Sequence, residues 1–171
     1  AQTGVGVVAP NADLDLVLGS VHFIDDWAFD DPARTERYDE WRIEDLWDRY
    51  FTDVIAVASA GIVDVIAHAD LVKKFTRAPA GRAPQLYREA AAAFAEAGVV
   101  VEINSAGLRK PCAEVYPSPG FLNELRAAGE KPVACLSRIL DHYRPVLEAN
   151  YADDYPHRQQ GAQTIIATPR N

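Results

Sequence analysis

The sequence contains no methionine and begins at Ala1. A translated reading frame normally opens with methionine, so the chain is expected to be a processed product or a piece of a longer polypeptide. Cysteine is nearly absent. Cys112 and Cys135 match no zinc spacing and build no disulfide framework, and both are expected to be plain thiols in a reducing compartment. Basic charge is in deficit: 17 Lys and Arg stand against 25 Asp and Glu, a net charge of −8. Phosphate backbones select basic surfaces, so a nucleic-acid partner is not expected. No apolar run approaches the ~20 residues of a membrane helix, and the opening AQTGVGVVAP lacks the basic start of a secretory signal. The expectation is a cytoplasmic protein without a membrane partner. A Gly-x-Ser-x-Gly elbow, a phosphate-binding P-loop and a dinucleotide glycine pattern are also missing, which leaves serine-hydrolase and nucleotide-binding readings without a motif.

What is present is ordinary globular composition, 49% apolar and 25% charged, in a length that suits one domain. Leu14 to Gly19 is a short apolar run of the kind that forms a buried strand. Ser20 to Trp41 is polar and aromatic-rich, and is expected to be an irregular connection acting as a lid or substrate loop. Ile43, Leu46, Trp47, Tyr50, Val54 and Val57 recur at three- and four-residue intervals, which predicts a helix over Ile43 to Ala60 stopped by Gly61. Val63 to Ala67 predicts a second strand. Pro84 starts a helix running to Ala97 and closed by Gly98. Val99 to Asn104 predicts a third strand, Gly120 to Ala128 a helix stopped by Gly129, and Lys131 to Leu136 a fourth strand. Strands alternating with helices imply parallel pairing and an α/β architecture. Residues 1–149 form the expected domain, and residues 150–171 an irregular tail.

Chemistry-bearing residues fall at the same end of each predicted strand. Ser20 and His22 follow the first, His68 and Asp70 the second, and Glu102 and Asn104 end the third. Residues two apart in an extended chain face the same way, and carboxyl ends of parallel strands build active sites. His22 and His68 are therefore candidate metal ligands, since imidazole suits Zn, Fe and Mn; a hydrogen-bonded structural histidine is the other reading of each. Glu102 and Asn104 are either substrate-facing groups or partners of neighbouring backbone. Lys73, Lys74 and Arg109 are candidate phosphate contacts, or else solvated loop charges. Arginine suits phosphate because its planar fork donates two parallel hydrogen bonds. The run Asp25, Asp26, Asp30 and Asp31 reads as a solvated loop.

The segments LDLVLGSVHFIDDWAFDDP, DVIAHADLVKKF and VEINSAGLRKPCAEVYPSP resemble, in order, consecutive blocks of the histidinol-phosphate phosphatases of the polymerase-and-histidinol-phosphatase (PHP) superfamily. The resemblance covers about Leu14 to Leu125. It implies a portion of a distorted seven-stranded (β/α) barrel, with two or three divalent metal ions (Zn, Mn or Fe) at the carboxyl ends of the strands. It also implies hydrolysis of a small phosphorylated substrate, L-histidinol phosphate, to L-histidinol and phosphate, a step of histidine biosynthesis. On this resemblance His22 and His68 match metal-binding histidines, with Ala67 where the family usually has glycine. Arg109 matches an arginine that holds the substrate phosphate, and Lys73 or Lys74 takes the place of a second basic contact. The family's opening His-x-His has no counterpart, because the 13 residues before Leu14 contain neither histidine nor glutamate. Its closing Asp-x-His is not matched either, since Asp141 and His142 are adjacent. The resemblance thus implies a partial site with negligible activity in this chain by itself. Another PHP-type phosphoesterase, or a degenerate domain that binds without turnover, is the alternative reading.

Overall fold

The structure is a computed structural model and describes residues 16–129. Within them, apolar runs too short for helices become strands. β1 (Leu18–Gly19), β2 (Phe23–Ile24) and β3 (Trp27–Ala28) are followed by 3-10 turns over Pro32–Glu40, then α1 (Ile43–Ser59) and β4 (Val65–Ile66). A 3-10 turn at Leu71–Lys74 leads to α2 (Ala83–Ala97), β5 (Val100–Val101), a second short 3-10 segment (Ser105–Arg109) and α3 (Pro119–Ala128). β1, β4 and β5 form a parallel sheet in that order, with Leu18 opposite Val65 and Val65 opposite Val100. The mixed α/β class with parallel strands and intervening helices is therefore as expected. The strands regular enough to qualify are shorter than predicted, but the ladder continues beyond them. Asp64 N donates to Val17 O, Ala67 N to Gly19 O and Glu102 N to Ile66 O at 2.8–2.9 Å. The predicted strand at Lys131 to Leu136 and the tail from 150 lie outside the described residues.

The helices follow their sequence signals closely. α1 buries Leu46, Trp47, Tyr50, Phe51, Val54, Val57 and Ala58 along one stripe, the spacing that a 3.6-residue repeat brings to one face. α2 ends with Gly98 at φ 69°, where Gly98 N donates to Ala95 O and Val99 N to Phe94 O. This paired capping consumes two carbonyls the helix leaves unbonded and needs a left-handed residue, which glycine adopts without a Cβ clash. α3 starts at Pro119 with Ser118 Oγ accepting from Phe121 N, a side-chain cap of a free amide. The three helices meet in an aromatic cluster: Tyr87 and Phe121 stack with centroids 4.8 Å apart, and Phe51 lies 5.7 and 5.6 Å from them. No helix among the described residues is long and apolar enough to cross a membrane.

The stretch from Ser20 to Trp41 is not the irregular lid expected from its polarity. β2 and β3 pair antiparallel, Phe23 with Ala28 and Ile24 with Trp27, and Trp27 and Phe29 are fully buried. The aromatic side chains fold the segment back on itself. Trp27 Nε1 donates to Arg34 O at 3.0 Å and Tyr38 Oη to Phe29 O at 2.8 Å, so each ring buries its body and finds a polar partner for its tip. Asp31 accepts from Ala33 N and opens the 3-10 turns, which are interrupted at Arg34. Aromatic burial thus outweighs the polar composition that suggested a loop.

β1 lies hard against α1. A Cβ at Gly19 would approach Val63 Cγ1 to 2.6 Å and Val57 Cγ1 to 2.8 Å. Both neighbours are β-branched and stiff about χ1, so neither gives way cheaply. Gly19→Ala is expected to lower unfolding free energy by about 1–3 kcal/mol through overpacking. Urea denaturation followed by circular dichroism checks this, and an unchanged midpoint would show that α1 has room to move.

Candidate active site

Parallel pairing brings the carboxyl ends of β1 and β4 side by side, and each is followed within three residues by a histidine. The rings of His22 and His68 meet edge to face with centroids 5.0 Å apart. Both Nδ1 atoms are buried, and among the described residues neither has a hydrogen-bond partner. Buried polar atoms are nearly always bonded, so an unpartnered pair calls for a ligand or a functional reason. Burial, reinforced by the neighbouring His22, holds the His68 imidazole down to about 4 against an ordinary 6.5, with Asp30 opposing. At neutral pH it is an uncharged ring with a lone pair to offer.

His68 also sits in a conformation rare for its residue type, with φ 34°. Such backbone costs of order 1–3 kcal/mol and persists only where surroundings impose it. Here His68 N donates to Glu102 Oε2 at 3.0 Å and Leu71 N donates to His68 O at 2.9 Å. Tyr50 Oη, from α1, donates to His68 O at 3.4 Å and accepts from Leu71 N at 3.1 Å. The turn at His68 breaks the alternation assumed from the sequence. Asp70 does not project beside His68 but is fully buried, accepting from Ser118 N at 2.7 Å.

Asp30 completes the near surroundings of the pair and was missed as a solvated loop residue. Its Oδ2 lies 3.2 Å from His22 Nδ1 and 3.6 Å from Lys74 Nζ. At that distance Asp30 stands against His22 Nδ1 without forming a hydrogen bond to it. Burial works to raise the Asp30 carboxyl, but contact with His22 and the charges of His22 and Lys74 outweigh it and hold it below its ordinary value. Adjacency to a core residue does not single it out, since Asp25 follows the core residue Ile24 just as Asp30 follows Phe29, yet Asp25 and Asp26 form the exposed hairpin turn.

The remaining candidates divide. Lys74 Nζ also donates to Asp30 O, so Lys74 stands beside the histidines. Lys73 is only 4% exposed and is committed to Asp70 Oδ2 at 3.0 Å, Glu114 Oε2 at 3.3 Å and Val115 O at 2.7 Å. Glu102 Oε1 accepts from Asn104 Nδ2 at 3.2 Å, and Asn104 Oδ1 accepts from Ala106 N. Both thus serve neighbouring backbone and each other, the structural alternative left open by the sequence. Arg109 is exposed at the end of Ser105–Arg109, on the segment after β5 as expected. Among the described residues no hydrogen bond or ion pair joins it to the imidazoles. Nor do the described residues contain a set of three or more His, Cys, Asp or Glu arranged to hold a metal ion. They fit part of a metal centre, two open imidazole nitrogens, and not a whole one. Asp141 and His142 lie outside the described residues.

Residues 5–106 match the sequence profile of the PHP domain, and the chain belongs to the PHP-domain family. A relative from Deinococcus radiodurans, named "Probable histidinol-phosphatase", is 37% identical over 154 residues, which is 90% of this chain and 57% of the relative. The chain thus spans a little over half the length of the curated relative it matches.

The depressed His68 basicity has a consequence for stability in the metal-free chain. A histidine whose folded pKa lies below its unfolded value favours folding in its neutral form. Its contribution is complete above about 6.5 and is lost as pH falls from 6.5 toward 4. Ring resonances followed by NMR are expected to show His68 neutral at pH 5, and a titration midpoint near 6.5 would overturn the assignment.

Proposed function

We propose that this chain is part of a PHP-type phosphomonoesterase that hydrolyses L-histidinol phosphate, in which His22 and His68 are two of the metal ligands. The observation that carries this reading is the pair of adjoining imidazoles at the carboxyl ends of adjacent parallel strands, whose buried Nδ1 atoms have no hydrogen bond among the described residues. Likeness to the named relative supports the substrate. The three parallel strands are read as part of the distorted seven-stranded barrel, whose strand ends would gather the remaining ligands.

Bound divalent metal (Zn, Mn or Fe) would supply water acidified to near ~7 and neutralise charge on the phosphoryl oxygens. The chain's own residues would do the positioning. His68 offers a neutral nitrogen donor, and His22 brings a second ring nitrogen beside it. Asp30 holds the charge of Lys74 beside them, and Lys74 is the better placed of the two lysines to meet a phosphate oxygen, since Lys73 is consumed inside the protein. Arg109 would approach from the segment after β5 and grip the ester with its fork.

A chimera tests the reading: the 154 matching residues replace their counterpart in the Deinococcus radiodurans relative, and phosphate release from L-histidinol phosphate is followed with Mn²⁺ or Zn²⁺. Turnover is expected in the chimera and not in the 171-residue chain alone. His22→Ala or His68→Ala should lower kcat/KM at least ~100-fold by misplacing the metal, and Arg109→Lys about tenfold by removing the two-pronged contact. A folded chimera that binds metal and releases no phosphate would favour another ester or a non-catalytic binding domain. Full activity in both alanine variants would remove the imidazoles from the site.

A further inference from the structure

The strained turn at His68 is held by a circuit that closes on itself. From His68 N it passes to Glu102 Oε2, from Glu102 Oε1 to Asn104 Nδ2, and from the Asn104 backbone to that of Tyr116 through two hydrogen bonds of 2.7 and 2.9 Å. Val115, the residue before Tyr116, accepts from Lys73 Nζ, which lies 5.1 Å above the Tyr116 ring. Lys73 Nζ then meets Asp70 Oδ2 at 3.0 Å. Asp70 is two residues from His68, and the circuit is complete.

We infer that Asp70, Lys73, Glu102 and Asn104 are positioning residues: together they set the His68 imidazole, and Lys73 acts as an internal lock between the segments after β4 and β5 rather than as a phosphate contact. Three facts carry this. First, the Lys73 ammonium already has an anionic partner, a carbonyl and an aromatic face, and is almost fully withdrawn from solvent. Reaching a phosphate would strand the Asp70 charge in the interior, where an unpaired ion is strongly unfavourable. Second, Glu102 serves both arms of the circuit at once, one oxygen for each, which only a carboxylate with two acceptors can do. Third, the segment joined by the lock is tightly folded. A Cβ at Gly107 would collide with Glu114 O, so Ser105–Arg109 is pressed onto Glu114, whose side chain Lys73 holds together with the carbonyl of Val115. Because Arg109 is carried on that same segment, the lock ties its backbone to that of His68. The inference rests on reading His68 as a site residue, but its test needs neither substrate nor metal.

The test uses the ¹⁵N-labelled 171-residue chain with Glu102→Ala, Glu102→Gln and the double variant Asp70→Asn/Lys73→Met. The double variant removes both charges together and so leaves no buried ion unpaired. Amide exchange is read at His68 and Tyr116 against Val54 in α1, and the ring nitrogen resonances of His68 against those of His22. Glu102→Ala is expected to speed His68 amide exchange about tenfold relative to Val54 and to shift its ring resonances. Glu102→Gln should fall between, since one carbonyl oxygen cannot serve both His68 N and Asn104 Nδ2. The double variant should speed exchange at Tyr116 and also move the His68 ring, although Glu102 is untouched. If that variant does not fold, Glu102→Ala and Glu102→Gln decide the matter. His68 signals that stay unshifted, with exchange within about threefold of the parent, would overturn the inference. That result beside an active chimera would sink the circuit alone, and an inactive chimera with the expected shifts would sink only the proposed activity.

Discussion

Two imidazoles can stand 5.0 Å apart here because β1 and β4 are adjacent and parallel. Had the strands been antiparallel, equivalent positions after each would lie at opposite ends of the sheet. Parallel pairing requires a long crossover, and α1 supplies it, burying an apolar stripe in the core while β1 presses close enough to Val57 to exclude a Cβ at Gly19. The same helix delivers Tyr50 Oη to the His68 carbonyl. Packing and site geometry are therefore one arrangement.

Electrostatics follow from that geometry. Bringing two histidines together under burial favours the neutral form of at least one, and His68 is the one depressed. Asp30 and Lys74 offset each other next to His22, giving the pair a polar flank without placing a net charge upon it. On the other side Asp70 and Lys73 form a second ion pair, fully enclosed, whose work is mechanical. Burial pushes the Asp70 carboxyl up, while Lys73 and the Ser118 contacts oppose this. A lone carboxylate there would be costly, which explains why lysine and aspartate are bound to each other and not to solvent.

The two ion pairs differ in what they can offer a ligand. Lys74 keeps a modest exposure beside open imidazole nitrogens, whereas Lys73 faces a backbone carbonyl and a phenol ring. Neighbouring residues of the same type thus take different roles. In a 3-10 turn, consecutive side chains leave the axis about 120° apart, so Leu71–Lys74 aims the two ammonium groups at different partners.

The amino-acid sequence by itself determined the helices, the parallel alternation and the family. The stripe of α1, the glycine after α2 and the apolar runs of the sheet are local patterns that survive folding, and three ordered blocks identify the PHP domain. It also placed His22 and His68 at equivalent strand ends, because strand order and polar termini are both legible in one dimension. Tertiary structure alone decided which polar groups meet. Asp30 joins the site because Trp27 and Phe29 bury themselves and fold their segment inward. Asp70 leaves it because His68 turns out of the extended conformation, and Lys73 is drawn inside by Val115, Glu114 and Asp70. Partners 41 to 48 residues away leave no trace in local spacing, since the physics that selects them is burial, and burial belongs to the folded chain.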